Sequence, residues 1–340
     1  MVTYYKIGDM FCASAHGDLP YEKTEKPAAG TTLTWLFTGE PGSRRASFLV
    51  NHPAELFMEK EDVSWLNTNR LNASAYDGQT RELPADLLAQ LDAGTLRAVN
   101  ASHPKFEEIL AYKPKEGKKR VHVLAIGDVG SMLLTGLHLL GGDVISSIGI
   151  CDISDKVTAR WEFEENQIAY PWDYDAMPEV DVVDQDHLFD CDVFVFVASK
   201  GIPPVGSGVK DVRMYQFENN SKIIGHYAKM AREKNFKGLF CAVSDPVDPL
   251  AKTAFLESNK NEAGEYDWMG LLPEQIQGFG LGVMNARAAY YAKRDPRFKQ
   301  FLTEGRQSLE FDWLWSSYYR DGPLYLLEWE LTLRTALAQL

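Results

Sequence analysis

Gly127 and Gly130 follow an apolar run, Val121–Ile126, and Asp152 comes just after the next run, Val144–Ile150. A glycine at 127 lets the backbone approach a pyrophosphate, and one at 130 lets a helix pack tightly on a strand. The free N–H groups and positive dipole end of the following helix suit phosphate. A carboxylate roughly 20–25 residues after such a turn is placed to accept hydrogen bonds from a ribose diol and disfavours a 2′-phosphate. The chemistry this set predicts is dinucleotide binding, NAD over NADP. The turn residues Ala125, Ile126, Gly127, Asp128, Val129 and Gly130 are its candidate contacts, together with Asp152. Ala125 stands where the glycine pattern opens, and alanine there is compatible with the turn if its φ is negative. The alternative is an ordinary tight turn in a doubly wound fold.

The elements that must position this turn alternate in type. Val121–Ile126 has the composition of a buried parallel strand, and Ser131–Leu140 is apolar enough for a buried helix. Helix Asp155–Ala169 follows, then an irregular acidic stretch, Tyr170–Val180, and the β-branched and aromatic strand Cys191–Ser199. The Gly- and Pro-rich Lys200–Lys210 has the composition of a lid loop. A long helix Asp211–Asn235, a strand Gly238–Val243 and a helix ending near Ser258 come next, then Gln275–Gly280 and a helix Val283–Arg294. This alternation predicts an α/β fold with a doubly wound parallel sheet.

Residues 1–112 do not share the pattern. They read as an additional α+β domain, with strands at Thr32–Thr38 and Ala46–Val50 and helices at Pro84–Ala93, with Pro84 at its first position, and Pro104–Tyr112. Lys113–Arg120, polar and basic, is the linker candidate. The expected organisation is 1–112 as an N-terminal domain of unknown role, 113–120 as linker, 121–262 as the Rossmann NAD-binding domain, and 263–340 as a divergent, helical C-terminal tail on the substrate side.

At 340 residues, 45% hydrophobic and 24% charged, the chain has the composition of a globular protein. No apolar run approaches membrane-spanning length, and the N-terminus lacks the basic and apolar regions of a secretion signal. A net charge of −13 without a Lys/Arg stripe argues against a nucleic-acid partner. Cys12, Cys151, Cys191 and Cys241 have no metal-type spacing, so no metal site is expected. Three of them lie in or beside core strands, which suggests reduced thiols in a cytoplasmic protein.

The order of elements and several motifs resemble the lactate/malate dehydrogenase family over roughly 118–295. The matches are "AIGDVG" with Asp152, the strand "DVFVFVAS", the lid region with Arg213 ahead of "MYQFENNSKII", "VSDPVD" against the family's V-S-N-P-V-D, and "GFGLGVMNAR" against G-x-G-T-x-L-D-x-x-R. The resemblance implies NAD as cofactor, with Ala198, Asn220 and Ser244 as further cofactor-side residues. It implies a 2-hydroxy/2-oxo acid or relative as small-molecule substrate, and association into homo-oligomers. Arg287 matches the arginine that clamps the substrate carboxylate, and Arg213 matches the arginine after the lid; for each, the alternative is a surface or interface ion pair. Guanidinium forks suit carboxylates because both are planar and bidentate.

The family's catalytic pair is missing. Met284 stands at the aspartate position, and no histidine follows His226, itself inside the long helix. Asp245 replaces the family's asparagine; it would serve as a substitute base, signal a substrate without an acid group at that end, or cap the helix ahead of Pro246. His16-Gly17-Asp18 matches the family's H-G-D tripeptide, which chance also supplies. A buried carboxylate without its imidazolium partner is costly, so losing both residues together favours long divergence over recent truncation. The expected activity is that of an NAD-dependent oxidoreductase. The alternatives are an NAD-binding protein without turnover, in a sensor or assembly role, and a truncated dehydrogenase.

Overall fold

The computed structural model describes residues 2–43, 45–57, 66–67, 70–71, 77–201, 203, 206, 208–280, 290–291, 293–294 and 296. The chain divides into two compact units, Met1–Gly278 and Phe279–Leu340. In the second, the Tyr290 and Tyr291 rings meet edge-on, and the Arg294 guanidinium lies 3.4 Å over the Tyr290 ring. The expected helix Val283–Arg294 lies largely outside the described residues.

The first unit holds two six-stranded sheets. The N-terminal one begins with a hairpin of β1 (Thr3–Ile7) and β2 (Met10–Ser14), turning at Gly8 with φ +58°. β3 (Glu22–Thr24), β4 (Leu33–Phe37) and β5 (Ser47–Leu49) follow, then the short pair β6 (Leu66–Asn67) and β7 (Arg70–Leu71). Next come α1 (Asp77–Arg81), α2 (Ala85–Asp92), β8 (Arg97–Asn100) and α3 (Phe106–Ala111). The sheet order is β3-β1-β2-β4-β8-β5, with β2, β4 and β8 parallel. Consecutive strand residues enter opposite cores: Tyr4, Ala13, Trp35 and Ala98 pack toward α2, while Tyr5, Cys12, Leu36 and Val99 pack toward α3. Both faces are covered, so the strands carry no polar alternation. Pro84 sits just before α2 rather than at its first position.

The second sheet uses β9 (Lys119–Leu124), β10 (Ile145–Cys151), β11 (Glu179–Val182), β12 (Val193–Phe196), β13 (Leu239–Ala242) and β14 (Ile276–Gly278). All pairings are parallel, in the order β11-β10-β9-β12-β13-β14. By position this is 3-2-1-4-5-6, a Rossmann order, and it realises the doubly wound parallel sheet expected from the sequence. α4 (Asp128–Leu140) and α5 (Asp155–Glu165) cover one face, over Val123, Ile148, Ile150 and Val195. α6 (Val212–Glu233) and α7 (Val247–Ser258) cover the other, over Phe194, Phe196, Phe240 and Leu124. Hydrophobic burial on both faces explains the near-continuous apolar strands that made this half readable. α4 starts three residues earlier than expected, since Asp128-Val129-Gly130 is its first turn rather than a loop. α5 stops at Glu165, four residues short of the expected end.

The two sheets are joined by specific contacts. Glu274 accepts from the backbone N–H groups of Ala46 (2.5 Å) and Ser47 (2.7 Å). Lys105 donates to the Gly270 carbonyl at 3.0 Å, and Lys237 pairs with Glu108 at 2.5 Å. Burial is the main force lowering the Lys105 ammonium below its usual range, and it pushes His103 down to about 4.

Candidate functional site

In an open doubly wound sheet the ligand crevice lies at the carboxyl ends of the strands, where the winding reverses. Here that point is between β9 and β12. After β9 the backbone turns at Ala125 with φ +74°. The condition under which alanine would suit the turn, a negative φ, is therefore not met. The left-handed residue is held by its own N–H donating to Cys151 O at 2.7 Å, and by Ile126 N–H donating to Asp152 Oδ2 at 2.8 Å. These bonds offset the roughly 1–2 kcal/mol that a Cβ costs in this region.

Gly127 caps α4 with no side-chain hydrogen bond, and a Cβ placed on it would meet nothing within 4 Å. A Cβ on Gly130 would lie 2.0 Å from Ala125 O. The first glycine thus leaves room in front of the helix, and the second lets the helix start against the turn. Asp152 ends β10 with its other oxygen, Oδ1, accepting from Ser154 N–H at 3.0 Å. Each carboxylate oxygen keeps acceptor capacity for a hydroxyl while the backbone fixes its aim. Ile153, beside it, is 98% exposed. An apolar side chain left in water there offers a flat ring a surface to pack on. The sequence reading missed Ile153; its signal was an isoleucine directly after the ribose-type carboxylate. An uncapped helix start, a cradle with no Cβ and an oriented carboxylate fit a dinucleotide.

The second wall joins the ends of β12 and β13. Asn220, buried on α6, accepts from Lys200 N–H at 2.9 Å and donates to Ser199 Oγ at 3.2 Å and Asp245 O at 2.9 Å. Ser244 Oγ donates to Ala198 O at 2.6 Å. Asn220, Ala198 and Ser244 therefore converge at the same crevice, with both Asn220 amide hydrogens used to bind loop to loop. Asp211 caps α6 through Met214 N–H, which sets Arg213 in its first turn, exposed.

Asp245 is exposed, and α7 starts at Pro246 without any side-chain cap, so the helix-cap alternative for Asp245 does not hold. Asp248, in the first turn of α7, was not singled out from the sequence. Desolvation first, then the charge of Asp245, holds its carboxyl above the usual carboxylate range against the pull of Arg213. Arg213, Asp245 and Asp248 thus share one electrostatic neighbourhood at the β13 end of the crevice. Arg287 and Met284 lie outside the described residues.

All seven histidines are described; His187 follows the edge strand β11, and none sits on the loops after β9, β10, β12 and β13. His226 is exposed on α6, fourteen residues past Val212, or about 21 Å along the axis at 1.5 Å per residue. His16 is held in the N-terminal sheet region by Thr38 Oγ1 at 3.2 Å. Among the described residues no group of three or more His, Cys, Asp or Glu is arranged to hold a metal ion, and no helix is long and apolar enough to cross a membrane. The four thiols are free; burial pushes Cys12, Cys191 and Cys241 up to about 12.

No family model matches the chain. An L-lactate dehydrogenase of Mycoplasma mobile is 29% identical over 134 residues, 39% of this chain and 39% of that protein. The chain thus matches about two fifths of the length of that curated relative. Among solved structures, the minor L-lactate dehydrogenase of Enterococcus mundtii is 18% identical over 54% of this chain and 53% of its own, with a TM-score of 0.42. The malate dehydrogenase of Picrophilus torridus is 18% identical over 52% and 50%, with a TM-score of 0.41. Over those 134 residues the chain is similar to an L-lactate dehydrogenase.

Proposed function

We propose that the chain is an NAD-dependent oxidoreductase of the lactate/malate dehydrogenase type, acting on a 2-hydroxy/2-oxo acid or a related small molecule. The observation that carries this reading is the Asp152 carboxylate, aimed by two backbone N–H groups beside the glycine turn of a 3-2-1-4-5-6 sheet. Gly127 and the N-terminus of α4 would take the pyrophosphate and Asp152 the ribose diol. Bound there, NAD supplies the hydride acceptor or donor. Arg287 and Arg213 are the candidate clamps for a substrate carboxylate, and Asp245 is the candidate proton acceptor in place of the family histidine. Its neighbour Asp248, with a carboxyl held above the usual range, would help a proton stay at this end of the crevice.

The second reading is an NAD-binding protein without turnover. It is favoured by the loops after β9, β10, β12 and β13 carrying no histidine, since general acid–base catalysis contributes about 10²–10⁴-fold. NADH oxidation, followed by absorbance against 2-oxo acids including oxaloacetate and pyruvate, separates the two. Turnover that disappears in Arg287→Ala and falls about 10²-fold in Asp245→Asn supports the first. NADH binding without turnover supports the second, and absence of NADH binding refutes both.

A further inference from the structure

The amino-terminal edge of the Rossmann sheet, opposite the crevice, carries an exposed aromatic surface. Between α5 and β11, Tyr170, Pro171, Trp172 and Asp173 form a tight turn closed by Asp173 N–H donating to Tyr170 O at 3.1 Å. Proline near the head of the turn sets the Trp172 ring at its tip, stacked on Tyr170 at 5.3 Å and 10°. Trp172 is 80% exposed and Tyr174 is 77% exposed. The turn is anchored: His138 Nδ1 lies 3.0 Å from Pro178 O, and Gly142 passes so close to Ala176 O that a Cβ would clash. That contact brings in the end of α4, where Leu140 (86% exposed) and Val144 also face water. Hydration of so many large apolar groups on one edge is unfavourable, and such patches mark interaction sites.

Around the aromatic turn the charge is acidic, while the basic residues Lys118, Lys119 and Arg120 lie beyond it on the far side of Val144, whose carbonyl accepts from Lys119 N–H. Asp143, Asp173, Asp175 and Glu179 are exposed around the aromatic turn. Aromatic faces beside carboxylates attract ammonium and guanidinium groups through the ring quadrupole and the ion pair together.

We propose that this edge is a docking face for a basic, Lys/Arg-rich segment of a partner protein, with Trp172 and Tyr174 receiving its cationic heads and aliphatic stems, and Leu140 and Val144 its apolar residues. The proposal is independent of the crevice and of the redox reading.

The test is fluorescence anisotropy of a short labelled peptide of lysine, arginine and leucine with the full chain, against a counterpart with glutamate at the cationic positions. The basic peptide binds and the acidic one does not. Trp172→Ala with Tyr174→Ala weakens binding about tenfold, and so does Asp173→Asn with Asp175→Asn. Glu262→Gln with Glu265→Gln, which removes as much charge elsewhere, leaves it within about twofold. All these side chains are exposed, so circular dichroism is unchanged across the set. Equal losses in the acid pair and the control pair, with no effect of the aromatic pair, would reduce the effect to general attraction by an acidic protein and overturn the proposal. Absence of binding overturns it too. Concentration-dependent dimerisation lost in Trp172→Ala would assign the face to a second copy and overturn the proposed partner.

Discussion

Replacing Gly130 by alanine tests the turn most sharply, because α4 carries its own control. A Cβ at 130 would sit 2.0 Å from Ala125 O, whereas at Gly136, further along the same helix, a Cβ would meet nothing within 4 Å. To reach even 3.0 Å, the Ala125 carbonyl or the helix must move by at least an ångström. That shift costs about 1–3 kcal/mol as overpacking. It also strains the bonds from Ala125 N–H to Cys151 O and from Ile126 N–H to Asp152, worth about 1 kcal/mol each. Alanine returns about 1 kcal/mol of helix propensity. Gly130→Ala is therefore expected to destabilise the fold by about 3 kcal/mol and to weaken NADH binding more than about tenfold. Gly136→Ala is expected to be neutral or to stabilise by up to about 1 kcal/mol, with binding unchanged. Urea unfolding gives the stabilities and a fluorescence titration gives the affinities. Equal behaviour of the two variants would refute the claim that the 130 position is glycine because the helix begins against the turn.

Other outcomes follow from the same geometry. Asp152→Asn leaves one of two backbone donors facing an amide nitrogen, so NADH binding falls about tenfold and discrimination against NADPH shrinks, measured by parallel titrations. The bidentate bonds from Arg232, at 2.7 and 2.6 Å, hold the Asp267 carboxyl down to about 2. Because the folded pKa is the lower one, this stability is present above the ordinary carboxylate pKa and is lost as pH falls through about 4 toward 2. At a partly exposed site it amounts to about 1 kcal/mol, and Arg232→Gln removes that part of the acid transition in pH-dependent urea unfolding. Cys12, Cys191 and Cys241, raised to about 12, react with a thiol reagent at pH 8 orders of magnitude more slowly in the folded chain than in urea.

The Rossmann half was legible because its strands are buried on both faces and separated by helices of clear composition. Its strand order, however, is a long-range property: β12 pairs with β9 across the whole β10–β11 excursion, and only the resemblance anticipated it. The hairpin of β1 and β2 was not singled out, because Tyr4 and Tyr5 are adjacent and both buried, leaving no alternation to detect. The sign of φ at Ala125 was left open by local propensity; hydrogen bonds to Cys151 and Asp152, some 26 positions away, hold it positive. At the site, Asp152 and the glycines were readable from spacing. Asp248 and Ile153 were not, since what distinguishes them is an electrostatic neighbourhood and an exposure that no sequence window contains.

The central claim is that the turn between β9 and α4, with Asp152, is an NAD site. Titration of the purified 340-residue chain with NADH and NADPH, followed by the cofactor's own fluorescence, tests it most directly. Saturable NADH binding, tighter than NADPH and weakened in Asp152→Asn, is the predicted result. A folded chain that binds neither cofactor, or binds both equally and independently of Asp152, would contradict it.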